Sequence, residues 1–354
     1  MKFARAAFLI VVLAILGGCK DGTPAAKQTG GMGYDRPTHR PRPPKVTVAV
    51  VFREKQPVAY MDGFRRGALA AADDIKDMDV LFFEPKQPTA KEQIDILESQ
   101  RLLGRQLIAV ESADPLAICP KVKLIRRAEI PVLTFEADCD LDKSSRLFFL
   151  SPFPTVPTAK LLADLAVREI GGSGEIAIIS GSVFSVQQKR MTQLIEEKLK
   201  KDYPNLKLAA TQYAGDIAKS ISEDATLAKA ATAEILKNPN IKAVIVLSRH
   251  ILPVVAEAIE EAKAADRVAV IGIGLPSAAR EHMKRGTVRY LLTWNPEDWG
   301  YFNARIARLV ADRKVASNQK HFIARLGFCV MDDDEMPMSE AIVLTTDTLD
   351  GYDW

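Results

Sequence analysis

The chain is poor in the residues that build metal and cofactor chemistry. Of its 354 residues four are cysteine and four are histidine. His39, His250, His282 and His321 are scattered, with no HExxH pattern and no cysteine pairs at zinc spacing, which excludes metal centres of those kinds. Glycine-rich phosphate loops are lacking as well. Gly272-Ile273-Gly274 follows an apolar run but continues into Leu275-Pro276, so the dinucleotide fingerprint fails, and neither GxxxxGK[ST] nor GxSxG occurs. The acidic run 332–335 has neither the alternating ligands nor the turn glycine of an EF-hand loop and reads as a solvated loop. No charge dominates: 48 basic and 45 acidic residues leave a net charge of +3, and no long basic run carries interleaved aromatics, so nucleic acid is not an expected partner. Beyond the N-terminus no apolar run approaches the roughly 18 residues a membrane helix needs. These absences argue against an enzyme, and no cofactor or metal is expected.

What is present begins at MKFARAAFLIVVLAILGGC, residues 1–19. A basic start (Lys2, Arg5), an apolar run over 6–16 that is too short to span a bilayer comfortably, and small residues before a cysteine resemble a bacterial lipoprotein signal. That resemblance implies a signal peptide over 1–18, cleavage before Cys19 and lipid attachment to it, and hence an exported protein tethered in the periplasm or cell envelope. Residues 19–45 are rich in proline, glycine and charge and poor in large aliphatics, the composition of a disordered tether that stiffens toward its proline-rich end.

The chain's 47% hydrophobic content allows an ample core, and from residue 46 on apolar runs alternate with amphipathic stretches. Strands are predicted over 46–52, 80–83, 107–110, 131–135 and 146–150, with helices over 61–74, 89–103 and 120–127 between them; in the first helix Phe64, Leu69 and Ala72 are placed near one face. A second series follows: helix 155–170, the turn Gly171–Gly174, strands 175–179, 207–213, 243–247, 268–273 and 288–293, and helices 186–201, 220–236, 251–264 and 278–284. Short buried strands bounded by helices imply parallel sheets covered on both faces. Two such series imply an α/β protein of two doubly wound lobes, with a ligand cleft at the carboxyl ends of the strands.

Four stretches carry a resemblance across residues 46–354: DPLAICPKVK (114–123), PVLTFEADCD (131–140), RGTVRYLLTWNPEDWGY (285–301) and the ending LDGYDW. Their order and spacing resemble the type I periplasmic sugar-binding proteins of ABC transporters, within the ribose-binding superfamily, nearest to the branch of rhamnose-binding proteins and autoinducer-2 receptors. The Trp-Asn-Pro at 294–296, after a strand and before a helix, is the most specific of these features. The resemblance implies a monomer whose lobes, joined by three hinge crossings, close on a ligand and dock on a membrane permease. Crossings are expected near Pro152, 295–297 and 326–331, which assigns 46–152 with 297–326 to the first lobe and 153–296 with 327–354 to the second.

Sugar recognition calls for planar polar groups at fixed angles and an aromatic surface for the C–H face of the ring. Arg53 after the first strand, and Phe135, Glu136 and Asp138 after the fourth, are candidate ligand residues; Glu136 stands where relatives place an acid on ligand hydroxyls. Gln187 and Gln188 open a second-lobe helix, and Trp294 and Asn295 offer a ring and an amide at the second crossing; Trp294 is read either as a stacking surface or as hinge packing. Arg249 departs from the autoinducer-2 receptors, which have small or apolar residues there, and changes the size and charge of the pocket. Its neighbour His250 is read as structural, and Tyr60 and Asp62 are weaker candidates. Gly274 replaces the aspartate of ribose-type binders, which favours the rhamnose branch. In an oxidising compartment Cys119 and Cys139, each a few residues beyond a predicted strand, could form a disulfide and leave Cys329 over; three unpaired thiols are the alternative. Two functions remain: delivery of a small sugar or sugar-like solute to a permease, or sensing of such a ligand for a membrane signalling partner.

Overall fold

The computed structural model describes residues 45–139, 144–182, 184–215, 224–316 and 319–354. The expected leader, Cys19 and the tether to residue 44 lie outside the described residues. The first strands, β1 (Val46–Val51), β2 (Met78–Phe83), β3 (Leu107–Val110), β4 (Val132–Phe135) and β5 (Phe149–Ser151), join one parallel sheet. They alternate with helices α1 (Val58–Ile75), α2 (Ala90–Leu102) and α3 (Pro115–Arg127). The chain then passes through α4 (Thr155–Glu169) into β6 (Glu175–Ser180), α5 (Val186–Asp202), β7 (Lys207–Tyr213), α6 (Ala225–Leu236), β8 (Ile241–Val246), α7 (Leu252–Glu261), β9 (Ala269–Ile273), α8 (Pro276–Lys284) and β10 (Val288–Thr293). Helix α9 (Pro296–Ala311) returns to lie along α1; a hairpin of β11 (Lys320–Ile323) and β12 (Gly327–Val330), β13 (Glu335–Pro337), β14 (Ile342–Leu344) and a 3-10 turn at Thr346–Gly351 complete the chain.

The strand orders are 13-5-4-3-1-2 in one sheet and 14-10-9-8-6-7 in the other. All pairings in both are parallel except that of β14 with β10. The alternation of the strands explains the layering. In β1, Val46, Val48 and Val50, continued by Phe52, join a core with α1 and α9, while Ala49 and Val51 turn to the core under α2 and α3. In β6, Ile176 and Ile178 face α4 and α5, whereas Ala177 and Ile179 face α6 and α7. Each sheet is thus covered on both sides, and one core runs through the hinge from Phe135 and Phe64 by way of Tyr60 to Trp294 and Phe153.

Several expectations shift. Helix α3 begins at Pro115, five residues earlier than expected, because Asp114 caps it by accepting from the Leu116 amide (2.9 Å) and Pro115 suits the first turn; Pro120 lies inside the helix instead of starting it. Leu69 is 48% exposed, while Phe64 and Ala72 are buried. Five residues advance a helix by about 500°, so Leu69 sits well round from Phe64.

The first crossing lies between β5 and α4, at 152–154, and the second between β10 and α9. The third differs from the expected position at 326–331. The hairpin of β11 and β12 is followed by β13, which pairs with β5 of the first sheet, so the chain changes lobes only between β13 and β14, at 338–341. There the Met338 amide donates to Ser151 O (2.9 Å), tying the third crossing to the first.

The α1–α9 contact fixes the hinge side of the first lobe. A methyl group at Gly67 would come within 1.7 Å of Glu297 O, and one at Gly300 within 1.9 Å of Phe64 O. The two helices touch backbone to backbone, which only residues without a Cβ allow.

Candidate functional site

The carboxyl ends of both sheets face a cavity with an open mouth. Arg53, Ser112, Glu136 and Asp138 contribute from the first lobe, Ser182, Gln187, Met191, Arg249 and His250 from the second, and Phe153 and Trp294 from the hinge. A buried amide holds the first-lobe wall. Gln93, on α2 and fully buried, donates from Nε2 to Phe52 O (3.0 Å) and Glu111 O (2.6 Å) and accepts from the Ala113 amide (2.9 Å). It fastens the ends of β1 and β3 together just where Arg53, Glu111 and Ser112 emerge.

Glu136 has φ of 58°, in the left-handed region that side-chain-bearing residues rarely adopt. This turn at the end of β4 lifts its carboxylate toward the second lobe, where it accepts from Tyr60 Oη (2.7 Å) and pairs with Arg249. Strain of this sort is retained where the surrounding structure holds it, commonly at binding sites. Arg249, at 7% exposure, also donates to Gln56 Oε1 (2.7 Å), lies 3.6 Å from Glu111 and covers the Tyr60 ring at 4.9 Å. His250 Nδ1 is 2.6 Å from Glu54 Oε1, and Arg53 Nε is 3.7 Å from both Glu54 and Glu111.

These neighbours set the charges. Burial and the nearby Glu136 push Glu111 up to about 8, overriding Arg249 and Arg53, so it is protonated at neutral pH. Burial alone would raise Glu54, but the His250 hydrogen bond and the charges of His250, Arg53 and Arg249 bring it down to about 2. Burial opposes the charge of Arg249, yet the Glu136 carboxylate holds its guanidinium protonated far above neutral pH. Burial, then Glu136, raises the Tyr60 hydroxyl well above its ordinary range, so it remains a donor.

Of the residues singled out in the sequence, Arg53, Glu136, Asp138, Gln187, Gln188, Arg249 and Trp294 all line the cavity. Two of these are tied into the scaffold. Asp138 accepts from Arg146 Nη2 (2.6 Å) and Thr134 Oγ1 (2.6 Å), and Gln188 Oε1 accepts from Ser180 Oγ and from the Gly181 (2.8 Å) and Ser182 amides. Gln187 donates to Thr155 Oγ1 (3.3 Å).

Phe135 and Asn295 do not line the cavity. Phe135 is fully buried against Phe52, Phe64 and Trp299, because the pleat that aims Thr134 to one side of β4 sends Phe135 to the other. Asn295 caps α9, its Oδ1 accepting from the Glu297 amide (2.8 Å). Trp294 packs edge-on to Tyr60 and Phe153 while facing the cavity, and its Nε1 and the Ser112 Oγ have no hydrogen-bond partner among the described residues. Asp62 lies instead in a separate depression with Arg66, Glu297 and Trp354. Gln56, Glu54 and Glu111 escaped the sequence reading. Glu111 directly follows β3, the same position after a strand that singled out Arg53 and Glu136, whereas nothing in the sequence pattern marks Gln56.

Cys119 and Cys139 are both buried in the core beneath α2 and α3. Cys329 lies in the other core, where burial pushes its thiol up to about 11.

Solved structures share this architecture. An ABC transporter solute-binding protein from Clostridium phytofermentans with bound L-rhamnose superposes with a TM-score of 0.75 at 19% identity, over 87% of this chain and 98% of that one. LsrB from Clostridium saccharobutylicum in complex with AI-2 gives 0.72 at 18%, over 87% and 100%. A solute-binding protein from Burkholderia graminis in complex with D-arabinose gives 0.69 at 19%, over 87% and 98%. Residues 48–314 match the model of the periplasmic binding protein domain. With two parallel-sheet lobes, a hinge between them and polar side chains from both facing one cleft, the chain belongs to the periplasmic binding protein domain family.

Proposed function

We propose that the protein is a lipid-anchored, extracytoplasmic solute-binding component of an ABC transporter. It captures a small sugar or sugar-like molecule, a rhamnose-like deoxysugar or related polyol, and delivers it to the permease without altering it. The observation that carries this reading is the cavity itself: charged and amide side chains of both lobes converge on it beside the Trp294 ring, the combination that hydroxyl groups and a sugar C–H face require. The L-rhamnose, AI-2 and D-arabinose bound by proteins of the same fold support the ligand class. Closure on the solute follows from its differential contacts, since only the closed form brings Arg53 and Glu136 together with Gln187 and Arg249. No helix among the described residues is long and apolar enough to cross a membrane, so in this reading lipid at Cys19 is the attachment. More than one acyl chain is needed to hold firmly.

A thermal-shift screen against monosaccharides, deoxysugars, polyols and autoinducer-2 tests the ligand class. A ligand present at about 100 times its Kd stabilises the form that binds it by about 2.7 kcal/mol. The expected result is a shift with one or a few such compounds; no shift with any, or chemical turnover of one, removes the proposal. Replacing Cys19 by serine is expected to move the protein from the membrane to the soluble fraction. Retention on the membrane would remove the lipid anchor.

A further inference from the structure

The hairpin of β11 and β12 turns one face to solvent and the other to the core. Phe322 stands opposite Phe328 and Lys320 opposite Val330, so these four side chains share a face, while His321, Ile323 and Cys329 point the other way and are buried. Phe322 is 63% exposed, Phe328 69% and Val330 38%, and the two rings meet edge to face with their centroids 5.3 Å apart. Single exposed apolar residues are ordinary, but a contiguous aromatic patch marks a contact surface.

The charge around this patch is of one sign. From 313 to 330 the sequence has four basic residues, Arg313, Lys314, Lys320 and Arg325, and no acidic one. Lys314 pairs with Asp312 and Arg325 with Glu297, whereas Arg313 and Lys320 are exposed and make no ion pair among the described residues. Arg313 also lines the depression at which β1 begins, together with Lys45, Arg105 and Arg126 and the single acid Glu129.

We propose that the solvent face of this hairpin docks on an anionic phospholipid surface, with Phe322 and Phe328 entering the headgroup region and Arg313 and Lys320 lying over the phosphates. The inference rests on the reading of Cys19 as a lipid anchor. The expected tether joins the folded body at Lys45, beside Arg313, and a coil of the length of residues 20–44 spans about 30 Å, so the patch stays within reach of the membrane. Aromatic side chains within a basic rim are the division of chemistry that holds amphipathic segments at a lipid interface. A second copy of the chain fits this face less well, because its own positive rim would be brought against this one. The contact adds to the acyl chains a second attachment that salt weakens, and it fixes which side of the first lobe faces the bilayer.

The test is tryptophan fluorescence of full-length Phe328→Trp, with the wild type as blank, on vesicles of brominated phosphatidylcholine alone or with about 30% of the anionic phosphatidylglycerol. On the anionic vesicles the introduced indole should shift to the blue and be quenched by the bromines, and about 0.5 M salt should reverse both. Neither change is expected on the neutral vesicles. Leu124→Trp, at a 52% exposed position of α3 on the other side of the sheet, should not be quenched on either. Each basic side chain at an anionic surface favours contact about fivefold, so Arg313→Gln and Lys320→Gln together should lower the ratio of docked to undocked protein about 30-fold and remove the signal. Unquenched emission on anionic vesicles, equal quenching on neutral ones, or quenching that survives the double replacement overturns the proposal. If circular dichroism shows that Phe328→Trp does not fold, Phe322→Trp is read in the same way. Flotation of the wild type with neutral vesicles reports the anchor separately. Its failure would count against lipid at Cys19, while a floating protein whose introduced indole stays unquenched on anionic vesicles counts against the hairpin alone.

Discussion

Replacing Gln93 by leucine should loosen the first-lobe wall of the cleft, and the structure allows the size of the effect to be worked out. The amide is fully buried and makes three hydrogen bonds, two from Nε2 to the Phe52 and Glu111 carbonyls and one at Oε1 from the Ala113 amide. Leucine has similar bulk but none of these bonds, leaving three buried backbone groups to find other partners. An orphaned buried group costs about 1–3 kcal/mol, giving about 3–9 kcal/mol if none is rescued. Water reaching the cleft end of β3 and the favourable transfer of leucine, about 2 kcal/mol, reduce this. A net loss of about 3 kcal/mol follows, or about 6 °C in Tm at roughly 2 °C per kcal/mol for a large domain. Differential scanning calorimetry reads it directly. Gln93→Glu should lose more, because a carboxylate oxygen would then face the two carbonyls. A Gln93→Leu protein melting within about 2 °C of the wild type would refute the reasoning.

Three further outcomes are expected. Glu111→Gln should stabilise the protein increasingly between about pH 4.5 and 8: the buried carboxyl is held neutral with its pKa at about 8 while the unfolded one ionises near 4.5, so wild-type stability is greatest below that window and is lost as pH rises through it. The gain is on the order of 3 kcal/mol at pH 7 and should vanish near pH 4.5; parallel melting curves for the two proteins at all pH values would disprove it. Gly67→Ala should cost about 2 kcal/mol or more despite better helix propensity, because the added methyl meets backbone 1.7 Å away, whereas Gly351→Ala, with nothing within 4 Å, should be neutral in the same denaturant titration. A disulfide between Cys119 and Cys139, which share one buried cluster, should leave Cys329 alone to react with a thiol reagent after denaturation without reductant, and reduction should cost about 3 kcal/mol; three reactive thiols in that stretch of chain would dismiss the pairing.

The residues of the cleft were legible in the sequence to the extent that one rule locates them. In a parallel sheet the residue just past a strand stands at the ligand-facing edge, and Arg53, Glu136 and Arg249 were found in that way and do line the cavity. The rule carries no information on facing or on competing partners. Phe135 was lost to the opposite side of β4, Asn295 to the first turn of α9, and Asp138 lines the cavity but is bound to Arg146. Glu111 satisfies the rule and was passed over; Gln56 satisfies none, because its place is set by the turn into α1 and by a partner 193 residues away. The third crossing fell later than expected because β13, which follows the hairpin at 320–330, pairs with β5 of the first sheet, a partner far back in the chain that no local pattern marks.

By itself the sequence determined the repeating α/β pattern and the division into two parallel-sheet lobes, since strand and helix periods are local and each buries a face that must be covered from both sides. Only the tertiary structure decided that Arg249 and His250 reach the carboxyl groups of the opposite lobe, that Glu111 is driven to its neutral form, and that the last lobe crossing waits for β13. Those outcomes depend on distances between residues far apart in the chain and on the exclusion of water between them, neither of which any local pattern encodes.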